Sequence, residues 1–312
     1  MIDEGLARLS DSLLFAAIVA YVVAMFGYFA ELAFGRVGSP APIAGGAVDT
    51  LPASYASAVS PAAGRRARLV GKAAVGLTAF GWVLHAAAAV TRGLAVDRVP
   101  WGNMYEFSMM VCLAAVSVWL YLLARQPRQP LRHLGGFVML PIVIYLAVAA
   151  MVLYAPAAPL VPALNSYWIK IHVVGAITAY GIFMVGFVTS GLYLWRARAD
   201  RRGVESRLPS AAALDRVSYR VHAFGFPVWT FAVMAGAVWA EAAWGRYWGW
   251  DPKETWSFIT WVVYAGYLHA RATAGWRGSR AAWVAVGGFL SLIVTYYVVN
   301  LWVSGLHSYS GV

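Results

Sequence analysis

The sequence predicts an all-α, polytopic membrane protein with about eight transmembrane helices and both termini on the outer side. Three observations carry that fold class. Hydrophobic residues make up 61% of the 312-residue chain and charged residues only 12%, against roughly 25% charged in soluble domains. The charges gather in clusters separated by apolar runs of about twenty residues, the length that crosses a ~30 Å hydrocarbon core. Lys and Arg also favour alternate connections, the asymmetry that orients helices in a membrane.

In order, the runs are Leu13–Phe34, Val70–Val90, Tyr105–Leu123, Gly135–Leu153, Ile169–Trp195, Phe224–Ala243, Ser257–His269 with a little beyond, and Ala281–Val303. The first is no cleavable signal peptide. It opens on Asp3, Glu4 and Asp11 in place of a basic region, and it is too long. The connections after the first, third, fifth and seventh runs hold all but six of the 24 Lys and Arg; the exceptions are Arg8, Arg92, Arg98, Lys170, Arg246 and Lys253. Those connections are therefore cytoplasmic. The net charge of +11 follows from this bias and from anionic headgroups, and it calls for no nucleic acid.

The chain reads as one membrane domain, 1–312, with no soluble domain. Residues 38–64, rich in Pro, Gly, Ala and Ser and nearly uncharged, read as a flexible cytoplasmic linker. Arg196 to Arg220 form a basic cytoplasmic loop. No internal repeat stands out, which counts against an inverted-repeat carrier. Cys112 is the single cysteine, so there is no disulfide and no thiol pair. With no C-x-x-C-H, the chain is not itself a c-type cytochrome, though non-covalent haem binding stays open.

Six histidines fall unevenly on this topology. His133 and His222 sit at cytoplasmic helix ends, where an imidazole needs only headgroups or a helix terminus. His172 lies at the outer end of the fifth run and His307 just beyond the outer end of the eighth. His85 lies inside the second run, and His269 about 18 Å below the outer surface in the seventh, counted from Ser257. Ionisable groups at such depth are functional candidates by default, yet His85 alone reads equally well as a hydrogen-bonded core residue.

The segment 239–256, WAEAAWGRYWGWDPKETW, is the most unusual. An aromatic belt explains one or two Trp at a helix end, not Trp239, Trp244, Trp248, Trp250 and Trp256 around Gly245 and Gly249. Such an external loop offers flat apolar walls to a planar macrocycle and close backbone approach at its glycines. Within it, Asp251-Pro252-Lys253-Glu254 spells a helix start with a capping box. Asp251 and Glu254 are therefore expected to order the head of the seventh helix, not to act as acid or base. Arg246 and Lys253 are available to haem propionates, or equally to headgroups. His172 and His307 bracket the Trp platform, and neutral imidazoles are common axial ligands of haem iron; spacing alone does not bring them together.

These residues resemble a known family. WGRYWGWDPKETW at 244–256 is similar to the "WWD" signature, W-G-x-x-W-x-W-D, of haem-handling proteins. The following TWVVYAGYLHAR, the terminal SGLHSYS and PWGNMYEF at 100–107 resemble its CcsA (ResC) branch in cytochrome c biogenesis. The resemblance covers about 75–310. It implies that His172 and His307 are axial ligands of an outer b-type haem, held non-covalently and passed on to substrate. It implies that His269 belongs to a deeper haem site whose second ligand comes from a ResB-type membrane subunit; His85 has weaker support. It further implies haem transport across the plasma membrane and, with that partner, haem lyase activity on the CxxCH of apocytochrome c, kept reduced by thiol-reducing proteins. No catalytic acid or base is assigned.

Three other readings compete. A CcmC-type haem-delivery chaperone without ligation activity usually has fewer spans. A b-type electron-transfer cytochrome would need histidine pairs at matched depth within the bilayer. A small-molecule transporter leaves the Trp-rich loop unexplained.

Overall fold

A computed structural model describes residues 2–35, 61–125, 130–160 and 166–307. In hydrocarbon every backbone N–H and C=O must be satisfied internally, which leaves helices as the local solution for these apolar runs. The regular structure of the described residues is all helical, with no strand: α1 (Glu4–Phe34), α2 (Pro61–Ala95), α3 (Met104–Arg125), a 3-10 turn (Pro130–Leu134), α4 (Gly135–Met151), α5 (Tyr167–Arg201), α6 (Ala211–Trp244), α7 (Pro252–Ala272) and α8 (Ser279–Ile293). A π-helical turn (Val294–Val298) and a last α-turn, α9 (Val299–Trp302), continue α8.

Seven of these segments are long and apolar enough to cross a membrane: α1 to α6, and Ser279–Trp302. Helix α7, expected as Ser257–His269, runs from Pro252 to Ala272 but is too rich in polar residues to qualify on apolarity. Its 21 residues still rise about 31 Å, and it joins both ends of the bundle. Its head meets the tail at Leu306 and His307, while Arg271 in its last turn forms a two-pronged ion pair with Asp215 at the start of α6 (2.6 and 3.0 Å). Of the expected linker 38–64, residues 38–60 lie outside the described residues. The last four, Pro61 to Gly64, are not linker but the first turn of α2. Helix α1 also starts earlier than its apolar run, at Glu4, because Asp3 caps it by accepting from Leu6 N–H at 3.0 Å.

Two ends of the bundle can be distinguished. At the basic end a buried Glu31 pairs with Arg132, and Arg207 donates to the carbonyls of Leu32 and Ala33. At the Trp-rich end, Arg92, Arg98 and Glu106 form a buried ionic cluster that ties α2 to the head of α3. Helix α5 is the most enclosed. Small residues let its neighbours approach, as membrane helix packing favours: a Cβ at Gly181 would stand 2.7 Å from the Ala115 nitrogen of α3.

Candidate functional site

The Trp-rich segment is loop only between Gly245 and Asp251, its flanks being the ends of α6 and α7. Gly245 ends α6 in the left-handed conformation (φ 69°), its N–H returning to Glu241 O at 2.8 Å. Trp250 is also left-handed (φ 56°), a conformation that is unfavourable for a bulky residue and persists where surrounding bonds impose it. Here they do. One Glu254 oxygen accepts both Gly249 N–H (2.8 Å) and Asp251 N–H (3.0 Å), wrapping the loop around the helix head. The expected capping box is present.

Asp251 does more than cap. The tail folds back over the head of α7, and one Asp251 oxygen accepts Leu306 N–H while the other accepts the His307 Nδ1 proton, each at 2.7 Å. A Cβ at Gly305 would sit 2.7 Å from Asp251 Oδ1, so this close approach requires glycine there. Burial, aided by the nearby Lys253 charge and opposed by Asp251, pushes His307 down to about 4. Burial raises the Asp251 carboxyl, but Leu306 N–H, the His307 ring and Lys253 N–H together hold it below its ordinary value. At neutral pH the pair is thus carboxylate and neutral imidazole. With the proton on Nδ1, the lone pair is on Nε2.

The Nδ1 of His172 is held in a similar way. From the first turns of α5 its Nδ1 meets the Ala232 carbonyl of α6 at 2.7 Å, and a carbonyl can only accept, so Nδ1 carries the proton. The ring lies on Gly236, where a Cβ would stand 2.6 Å from Nδ1. An Nδ1–H held by a carbonyl or carboxylate is the usual outer support of a metal-ligating histidine.

Both imidazoles line one open-mouthed cavity of about 1140 Å³, its open side included. Its walls are aromatic: Trp101, Phe107, Tyr180, Trp229, Trp239, Tyr247, Trp248 and Tyr296. Tyr296 comes from the π-helical turn and donates to Met104 O at 2.5 Å, fixing α8 to the head of α3; such turns often mark functional sites. Asn103, Lys253 and Asn300 supply polar groups. Flat aromatic walls, two imidazoles held through Nδ1–H and a lysine fit a planar, iron-bearing, carboxylate-bearing macrocycle.

The structure separates the expected site residues. His172, His307, Trp248 and Lys253 line the cavity. Trp244 stands behind it, edge-on to the His307 ring at 4.8 Å. Trp250 is 65% exposed and touches Trp248 from outside, and neither Trp256 nor Arg246 reaches the cavity. His269 is exposed in the last turn of α7, nearer the basic end than expected. Sixteen residues past Lys253, it lies about 24 Å along the helix from the cavity. His85 is fully buried elsewhere, 3.4 Å from Tyr21 OH. His133 stays at a helix end. His222 does not: it is buried eleven residues into α6, packed among Phe183, Tyr264 and Tyr267. Trp101, Phe107, Tyr180, Trp229, Tyr296 and Asn300 were not singled out; the PWGNMYEF string alone pointed toward the first two.

Comparison with known proteins shows the family. A family model described as "Cytochrome C assembly protein" matches residues 101–307, a span that begins and ends on cavity-lining residues. Proteins named "Cytochrome c biogenesis protein CcsA" are similar along most of the chain. The one from Gloeobacter violaceus is 34% identical over 307 residues, covering 80% of this chain and 89% of the relative. That from Guillardia theta is 37% identical over 243 residues, covering 70% and 79%. A solved structure, "Cytochrome c Heme Lyase CcmF", shares the fold with a TM-score of 0.60 at 15% identity, over 93% of this chain and 46% of that one.

Proposed function

The chain belongs to the cytochrome c assembly protein family and is of the CcsA type, and on that premise we propose that its cavity holds haem between His172 and His307 and presents it to apocytochrome c. The observation that carries this reading is the pair of imidazoles on one aromatic cavity, each held through its Nδ1–H by a carbonyl or carboxylate. The role in cytochrome c biogenesis follows from the family. The haem b cargo, its iron ligands and the attachment step are this proposal's own.

On this reading the Trp-rich end faces outward from the plasma membrane and both termini lie outside. The excess of Lys and Arg at the opposite end supports that orientation. The chain acts as one membrane domain. Haem enters from the basic side and is first held near His269. The exposure of that residue on α7 favours a second ligand from a ResB-type subunit. The outer cavity then sets the haem plane, with Lys253 placed for a propionate. Each attachment adds an S–H across a vinyl C=C, forming a C–S and a C–H bond with no leaving group. Positioning is what such an addition needs, and effective molarity can contribute ~7–11 kcal/mol. Haem lyase activity belongs to the complex with the partner, and the client thiols must arrive reduced.

The test is an absorption spectrum of the purified chain, with and without its partner. His172→Gly and His307→Gly should each lose bis-imidazole bands and regain them with free imidazole. Wild-type spectra in both variants would refute the ligand assignment.

A further inference from the structure

Haem carries two carboxylates, and the cavity offers one lysine. A second donor faces the same space. Asn103 caps α3: its Oδ1 accepts Glu106 N–H at 2.8 Å. A backbone N–H needs an acceptor, so this bond fixes which end of the amide is oxygen and leaves the NH2 group as the free end. That NH2 has no partner among the described residues, and Asn103 lines the cavity.

The wall that presents it is rigid. Glu106 is fully buried, and its two oxygens receive four donors. Oε1 accepts Arg92 Nε and an Arg98 nitrogen, each at 3.0 Å. Oε2 accepts a second Arg98 nitrogen at 2.7 Å and Gly102 N–H at 2.8 Å. A carboxylate offers about four such acceptor sites, so this one is saturated and holds Gly102 and Asn103 in place. Arg98 also donates to Ala158 O at 2.8 Å, tying the α4–α5 connection to the same wall. Placing this much buried charge beside one residue of a cavity wall preorganises that residue, and preorganised donors bind without reordering.

We propose that Asn103, held by the Arg92–Glu106–Arg98 cluster, is a carboxylate-binding residue that takes one propionate of the bound porphyrin while Lys253 takes the other. This rests on the haem reading above. It adds an orientation: the propionate edge is fixed by α3 and the head of α7, which turns the opposite edge away from both.

The test compares the affinity of the full chain, purified in detergent, for iron protoporphyrin IX and for its dimethyl ester, whose carboxylates are blocked. Asn103→Asp keeps an oxygen for Glu106 N–H, so the cap survives, but it sets an anion against the cargo. Affinity for the diacid should fall roughly tenfold or more, the scale of a charge-assisted hydrogen bond, with little change for the ester. Asn103→Ser keeps the cap and removes the amide, and it should give a smaller loss, again confined to the diacid. Equal weakening of both porphyrins, or an unchanged diacid affinity, overturns the proposal. Wild-type protein that binds neither porphyrin instead refutes the haem reading itself.

Discussion

Asp251 separates two roles that the same substitution usually confounds. Its carboxylate accepts Lys253 N–H at 3.4 Å as a helix cap, and it accepts the His307 Nδ1 proton and Leu306 N–H at 2.7 Å each. Asp251→Asn keeps an oxygen for the cap, since Asn and Asp are equivalent there, whereas Ala costs about 0.5–2 kcal/mol of helix stability. Asn removes the charge that the imidazole N–H meets. A hydrogen bond to a charged group is worth about 1.5–3 kcal/mol, and loss of such an outer partner typically weakens metal binding ~10–100-fold. The expected ranking is therefore a split. Asn, which keeps one oxygen for the cap but sets its NH2 against Leu306 N–H or the imidazole, costs less thermal stability in detergent than Ala while still lowering haem affinity and weakening the iron–His307 bond. Soret titration and the iron–histidine stretch report the second effect independently of the first. If Asn and Ser restore wild-type haem affinity and stretch, Asp251 is a cap alone and its contact with His307 carries no function.

Three further perturbations follow from the geometry. Gly236→Ala places a methyl 2.6 Å from His172 Nδ1; overpacking of this kind costs about 1–3 kcal/mol, and haem content should drop. Gly266→Ala, into open space, should leave haem content unchanged, and similar loss in both would contradict the placement of His172. Trp248→Ala and Lys253→Met should weaken haem binding severalfold in a titration, whereas Trp250→Ala and Arg246→Met should not, because only the first two line the cavity; the reverse order would count against the cavity. Finally, His269→Ala in the complex with a ResB-type subunit should starve the outer site of haem, while His172→Ala should leave haem retained at the inner one. Normal outer loading in the His269 variant, measured on the co-purified pair, would remove the transfer path and spare the outer site.

The spans were legible because hydrocarbon demands contiguous apolar length, a property of local sequence. The head of α7 was legible for a similar reason: Asp251, Pro252 and Glu254 act within one helical turn. The WWD-like string pointed to haem handling through residues adjacent in the chain. What the chain could not reveal was which aromatic residues face one another. Helices α3 to α6 are apolar on most sides, so periodicity does not tell an inward face from a lipid-facing one. Trp229 and Phe231 look alike in sequence, yet the first is buried on the cavity and the second is exposed. His222 likewise seemed to sit at a helix end until α6 proved to extend eleven residues before it. The convergence of His172 and His307, 135 positions apart, depends on Gly236 letting α5 settle on α6 and on Gly305 letting the tail close over Asp251. Those are contacts between distant segments, fixed by steric fit, and only the folded bundle decides them.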